Sequence, residues 1–588
     1  MRKTLIAAAV IAAGAYGAYY YSQQTQSDTA ELLAQVPADT VFFSGQFNPI
    51  NMVDYFKATS MMTEAQLKQV RDDLQSQLEN EFDVNGEDSP GLRFVVQLVD
   101  EFLAAMLEQE RFSELTGLSE NARTLMYHVG AMPVLRWQLD DAAGFAAMLD
   151  RAEQKSGYSH TMRDVDGVAV RAYRIGDSEE YAEVLVRAEQ QWATIVINSH
   201  IADATHLPEA LALVKPALSL ADTGYVEAVS KRYDLRPDGV AFVDSKRLVE
   251  LFTQPQSSRL GQAIQAQLDA EELAAMATWQ TPECAADLDR VATAFPGLYS
   301  DMEYQLDGTD SFELSTRSVI AIADPKALEL ATGLQGFIPA LARVGDDDRV
   351  MMSFGLGSDI GRLGVSVSNI WSSIANVDFS CADLQQLQAE MKTTNPAAML
   401  GALALGNGVQ GAAVAVNEID AERLSKGDFS NFDALMSISS DDVEALYSVL
   451  QASFPPLANQ PLPAVGDAVS LRDVVAATLG EPLDLFLQRG ESTLALYFGA
   501  IAAEQANQVV AEPMANNGLF AVNVHYAKLF EFMLAEAMLR GEPIDPAMEG
   551  FAEMNMRARI GMAFSQYGME IDYTIESAAP VAQSTASQ

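Results

Sequence analysis

The hydrophobic pattern of this chain begins with one long uncharged run and then breaks into short periodic pieces. After Met1, Arg2 and Lys3, residues 4–21 carry no charge, and the first acidic residue is Asp28. As a helix these 18 residues reach about 27 Å, close to the roughly 30 Å hydrocarbon core of a bilayer. The run therefore predicts a single-pass anchor built on Leu5, Ile6, Val10 and Ile11. Arg2 and Lys3 would stay on the cytoplasmic side, and Tyr19, Tyr20 and Tyr21 suit the opposite interface. A cleaved signal peptide, with its apolar core from Leu5 to Ala13 and a small-x-small site at Ala15-Tyr16-Gly17, is the alternative. Either of these readings exports the body; a third, a buried core helix of a cytosolic protein, fits the charge layout and terminal position less well.

Beyond the anchor one unit recurs: an alternating or apolar strand, a short polar turn, then a helix with one apolar face. Six instances are legible, at residues 42–56, 133–149, 239–252, 315–330, 411–424 and 518–533. Asn48-Pro49, Asp140-Asp141, Asp244-Ser245 and Asp324-Pro325 mark strand-to-helix turns, where such side chains cap helix amides. Between these units lie strands expected to pair antiparallel, among them residues 168–173, 182–188 and 192–198. Asp307-Gly308 predicts a hairpin, and Gln566-Tyr567-Gly568 joins a final strand pair. The predicted class is α+β, an N-terminal transmembrane helix followed by repeated strand-turn-helix units in mixed or antiparallel sheets.

Residues 63–82 and 92–112 stand apart as a helical hairpin. It reads as a cover over an apolar cleft lined by Phe94, Phe102 and Met106, as a docking surface for a partner, or as simple packing against the first sheet. Turn-rich stretches divide the chain into a stub and anchor (1–27), a first α+β domain (28–252), a central domain (253–453), a Pro-rich linker (454–468), a C-terminal domain (469–576) and a disordered tail (577–588).

Composition narrows the partners. Eighty-one acidic against 37 basic side chains give a formal charge of −44, a field that repels nucleic acid. The same field disfavours docking of the body on anionic lipid. Only two cysteines occur, Cys284 and Cys381, in similar settings: Thr281-Pro282-Glu283-Cys284 and Ser380-Cys381-Ala382-Asp383. An even count in an exported protein predicts one disulfide, with Thr281 and Ser380 capping the two helices.

Catalytic signatures are missing: the chain contains no Walker loop, His-Glu-x-x-His or Gly-x-Ser-x-Gly motif. Gly406-Asn407-Gly408-Val409-Gln410-Gly411 spells a dinucleotide fingerprint, but a strand follows it where a helix is needed, so it reads as a hairpin turn. The five histidines, His128, His160, His200, His206 and His525, lack zinc-ligand spacing and read as surface or capping residues. Residues 83–88 and 346–348 are acidic runs without EF-hand spacing and read as solvated loops.

Val36-Pro37-Ala38-Asp39-Thr40, just past the anchor and opening a strand at Val41, resembles the start of uncharacterised bacterial envelope proteins that carry a membrane segment and a domain of unknown function. That resemblance implies location and fold class and brings no site residues. The resulting expectation is a membrane-tethered periplasmic binding or assembly protein, non-enzymatic and without a cofactor, with an inner-membrane anchor and a protein partner in the envelope. The alternatives are a hydrolase with a site assembled from distant residues, or a carrier of an apolar ligand.

Overall fold

The alternating segments form strands, and every pairing whose register is defined is antiparallel. The computed structural model describes residues 26–51, 68, 71, 90–108, 111–176, 181–307, 311–339, 347–393, 408–479, 483–544, 548–549, 552 and 555–577. The predicted anchor, the first arm of the helical hairpin apart from Lys68 and Arg71, the acidic run 83–88 and the tail beyond Ser577 lie outside these residues. Among the described residues no helix is long and apolar enough to cross a membrane.

Two units emerge, rather than three domains. The first runs to Gln305 and takes in Thr316–Ala321 and Ser380–Asp383; the second holds Leu306–Ser315, Ile322–Phe379 and the chain from Leu384 onward. The first unit is built on β1 (Phe42–Asn51), β2 (Asn121–Val129), β3 (Met132–Gln138), β4 (Thr161–Val165), β5 (Val168–Gly176), β6 (Tyr181–Ala188), β7 (Trp192–Ser199), β8 (Gly239–Asp244), β9 (Gly297–Asp307) and β10 (Ser311–Ala321). Their spatial order is β4-β5-β6-β7-β3-β2-β1-β8-β9-β10. The expected pairing of β5, β6 and β7 is present, and β9 pairs with β10, while Gly308 of the predicted turn lies outside the described residues.

Helices α1 (Pro90–Leu107), α2 (Ala142–Ser156), α3 (Ser245–Thr253), α4 (Arg259–Gln265) and α5 (Pro282–Ala294) belong to this unit. On α1, Phe94 stacks on Tyr173 at 4.0 Å between ring centres, Phe102 meets Phe112 and Trp137 edge-on, and Met106 is fully buried. Of the readings open for this helix, packing into the core is the one these contacts fit. Its buried Glu101 pairs with Arg151 (2.6 Å) and Lys155 (2.6 Å), tying α1 to α2.

Aspartates cap the helices as the sequence indicated: Asp141 accepts from the amide of Ala143, Asp244 from Arg247 and Asp324 from Ala327. Asn48-Pro49 does not cap a helix. It sits inside β1, where the register to β2 shifts between Gln46 and Ile50, a bulge that tolerates a residue without an N–H. Thr253–Gly261, expected to separate domains, ends α3, forms a 3-10 turn at Pro255–Ser257 and enters α4 behind the Ser258 cap. The division falls instead at the β9–β10 hairpin.

The disulfide joins Cys284, in the first turn of α5, to Cys381, just ahead of helix α6 (Ala382–Lys392). Thr281 caps α5 as expected, whereas Ser380 does not act as a capping side chain for α6 in any bond the structure shows. Asp287 takes that role from another helix, accepting from the amides of Ser380 (2.6 Å) and Cys381 (2.8 Å).

The segment from Val36 to Val41 is a fastening. Ala38 N–H donates to Leu218 O, Thr40 O accepts from Arg247 Nη1 (2.6 Å), and Asp39 takes a two-point grip from Arg259. Val41 N–H donates to His128 Nε2 (2.7 Å), while His128 Nδ1 donates to Gly130 O (3.0 Å), so a neutral imidazole is satisfied at both nitrogens. His128 is 4% exposed and His525 1%, which corrects the surface reading of both. Burial pushes the His128 pKa down to about 4. Because the unfolded chain takes up that proton first, the stability His128 contributes is complete above its unfolded pKa of about 6.5 and is lost as pH falls towards 4. We expect a loss on the order of 2–3 kcal/mol across that window. Urea unfolding at several pH values checks it: a His128→Asn variant should have a flatter profile, and matching profiles would refute the assignment.

The second unit contains β11 (Met352–Gly357), β12 (Val409–Glu418), β13 (Asp433–Ser440), β14 (Ala468–Ser470), β15 (Leu485–Arg489), β16 (Thr493–Phe498), β17 (Phe520–His525), β18 (Met556–Phe564) and β19 (Gly568–Ser577). Its helices include α7 (Val443–Ser453), α8 (Ala500–Ala511) and α9 (Tyr526–Arg540). The order is β14-β15-β16-β13-β12-β11-β17-β18-β19. This repeats the first unit. In each, the earliest strand (β1 or β11) lies mid-sheet between the second strand and a late one (β8 or β17) that runs directly into a helix. The third strand of each leads to an Asp-capped helix, α2 behind Asp141 and α7 behind Asp442.

Two predicted loops are clarified here. The Pro-rich stretch 454–468 is a packed loop rather than a linker: Gln460 O accepts from Tyr447 Oη and Gln451 Nε2, and Leu457 and Leu462 pack onto the core between α7 and β15. Gly408 has φ +84° and leads into β12, so the glycine cluster does turn into a strand and cannot aim helix amides at a phosphate.

Candidate functional site

The central strands of the second unit carry an unusual run of small residues on one face. Opposed positions across β13, β12, β11, β17 and β18 make two rows: Leu435, Ala415, Ser353, Asn523 and Arg559 in one, Ser437, Ala413, Gly355, Ala521 and Gly561 in the next. These rows floor a cavity of about 190 Å³, walled by Ile338 and Pro339.

The wall is firmly placed. Asn517 accepts from Ile338 N–H (2.8 Å) and donates to Ile338 O (2.9 Å), and Phe337 N–H donates to Gln410 O (2.8 Å). Gly355 is required beneath it, since a Cβ there would lie 2.3 Å from Ile338 Cγ2.

Within this largely apolar lining sits Asn523, 3% exposed, with neither Nδ2 nor Oδ1 hydrogen-bonded. Leaving a buried donor and acceptor unmatched is unfavourable by about 1–3 kcal/mol per group, so this side chain is a standing reason to bind something polar. The neighbouring Arg559 is neutralised by Glu576 at 2.5 Å. Two residues along β17, buried His525 is held neutral, its pKa pushed down to about 4 by burial and then by Lys528 and Arg557.

The first unit supplies an internal comparison. Matching Gly45 with Gly355 through their opposed neighbours places Leu125 where Ala413 stands and Val240 where Ala521 stands. The adjoining row then equates Phe43 with Ser353, Tyr127 with Ala415, Phe242 with Asn523 and Tyr299 with Arg559. All four rings are buried, Phe43 against Phe242 at 5.5 Å. Where one sheet is sealed by aromatic side chains, the other is hollow.

The predicted site residues fall elsewhere. Arg2, Lys3, Leu5, Ile6, Val10, Ile11 and the three tyrosines lie outside the described residues, and the Cys284–Cys381 bridge belongs to the first unit. Of the acidic run, Asp347 pairs with Arg349 and Asp348 with Arg557. Among the described residues no group of three or more His, Cys, Asp or Glu is placed to hold a metal ion. The trough had a sequence signal, alternate positions restricted to Gly, Ala and Ser in 353–357 and 411–415, whose meaning depends on which strands are neighbours. No protein-family model, curated protein or solved structure matches this chain.

Proposed function

We propose that this chain is a binding protein of the bacterial envelope, tethered by its N-terminal segment with its body on the outer side of the inner membrane, and that the trough of the second unit seats a small, mostly apolar ligand. The observation that carries the binding function is the cavity around the unpartnered Asn523, at the place the first unit fills with rings. Its volume exceeds that of an apolar cavity of about 150 Å³ known to admit benzene. Binding is favoured over catalysis because the trough lining contains no His, Cys, Asp or Glu to move a proton. The envelope location rests on the charge layout of residues 1–28 and on the bridged cysteines, which persist in oxidising compartments.

Ser353→Phe tests the site by restoring the ring found at Phe43. The wild type should bind toluene in calorimetry, and the variant should remain folded with at least a tenfold loss of affinity. Equal affinity would remove the trough from consideration. For location, externally added protease should digest the body in spheroplasts, whereas protection would place it in the cytoplasm.

A further inference from the structure

We infer that the ligand of this trough presents a hydrogen-bond donor and acceptor side by side, as a primary carboxamide or a lactam does, on an apolar body about the size of a benzene ring. This rests on the trough being a binding site. Asn523 offers Nδ2–H and Oδ1 in one plane, and both are unmatched. A carboxylate would satisfy the donor but bring an anion against Oδ1; an ammonium would satisfy only Oδ1. A trans peptide points its N–H and C=O to opposite sides, so a passing main chain answers one of the two. A cis amide answers both at once.

The surroundings favour a neutral head as well. The charge of Arg559 is already met by Glu576, and the other polar lining groups include the hydroxyls of Ser353 and Ser437. Ala413, Ala521 and Gly561 leave a shallow floor on which a planar ring can lie, because no side chain there extends beyond Cβ. Ile338, packed directly on Gly355, bounds this floor on one side.

Benzamide, benzoate and toluene are the probes, titrated calorimetrically into the full chain and into Asn523→Leu and Asn523→Asp variants. Benzamide should bind the wild type at least tenfold more tightly than either of the others, the yield of two net hydrogen bonds. Asn523→Leu should erase that preference while keeping toluene affinity, and its thermal midpoint shows whether it has folded. Asn523→Asp, which keeps the size and removes the donor, should weaken benzamide similarly. Toluene binding as tightly as benzamide would overturn the amide head and leave the apolar site standing. Benzoate binding best would instead show a ligand directed by Arg559 and overturn the neutral head. Failure of all three probes at millimolar concentration would overturn both this inference and the binding reading beneath it.

Discussion

Serine at both Cys284 and Cys381 is expected to lower the thermal midpoint of the first unit by roughly 7 °C. The bridge spans a separation of 97 residues, and in the chain-entropy model a loop of that length restricts the unfolded ensemble by about 4–5 kcal/mol. Spread over a unit of about 300 residues, with an unfolding entropy near 2 cal/mol/K per residue, that free energy converts to the stated shift. The native geometry around the bridge should survive, because Asp287 still accepts from Ser380 and Cys381 and is itself paired with Arg290. Calorimetry with and without reductant measures the effect. A shift below about 2 °C, or alkylatable thiols in the folded protein, would show that the bridge does not form or contributes little.

Arg259→Ala should destabilise by about 2–3 kcal/mol at neutral pH. Its guanidinium grips Asp39 through Nε (3.1 Å) and Nη2 (2.6 Å) and reaches Glu209 through Nη1 (2.6 Å). Removing it leaves two partly buried carboxylates facing each other without a counter-charge, while some solvent access keeps the loss below that of a fully buried pair. Burial raises the Asp39 pKa, but the hydrogen bonds and charge of Arg259 outweigh it and hold the carboxyl below its ordinary value. The stability Asp39 contributes is thus present above its unfolded pKa and lost as pH falls through the depressed folded one. In the variant burial acts unopposed, so the gap to wild type should narrow as pH falls towards 4. Urea unfolding at pH 7 and pH 4 reads this; a constant gap would assign the effect to lost packing of the arginine stem. Arg259→Lys should recover only part of it, since an ammonium cannot reproduce the two-point grip.

Local chemistry was the legible part of this fold. Asp141, Asp244 and Asp324 cap helices because an Asp before a helical apolar pattern has few other uses, and the β5–β6–β7 meander follows from alternation and short turns. The mistakes came where a residue's role depended on a distant partner. Pro49 reads as a helix start until the bulge against β2 explains it, and Pro455 reads as a linker until Tyr447 and Gln451 hold the loop beside it. His128 looked like a surface residue because nothing near it in sequence accounts for its burial; the partner is Val41, across the β1–β2 pair. The recurring strand-helix unit was visible, but its grouping into two copies was not, because equivalent positions exchange rings for Ser, Ala, Asn and Arg. The trough was hidden for the same reason: it exists only where five strands lie side by side.

The position of β1 has a mechanical consequence. The chain that emerges ahead of Val36 enters the sheet at its middle strand, with β2 on one side and β8 on the other. A tug along that strand therefore loads two ladders in shear, all their bonds sharing the force, instead of peeling an edge strand one bond at a time. Arg247, Arg259 and His128 stand at the point where the tension arrives. Single-molecule extension from the N-terminus should therefore meet its highest force at this strand.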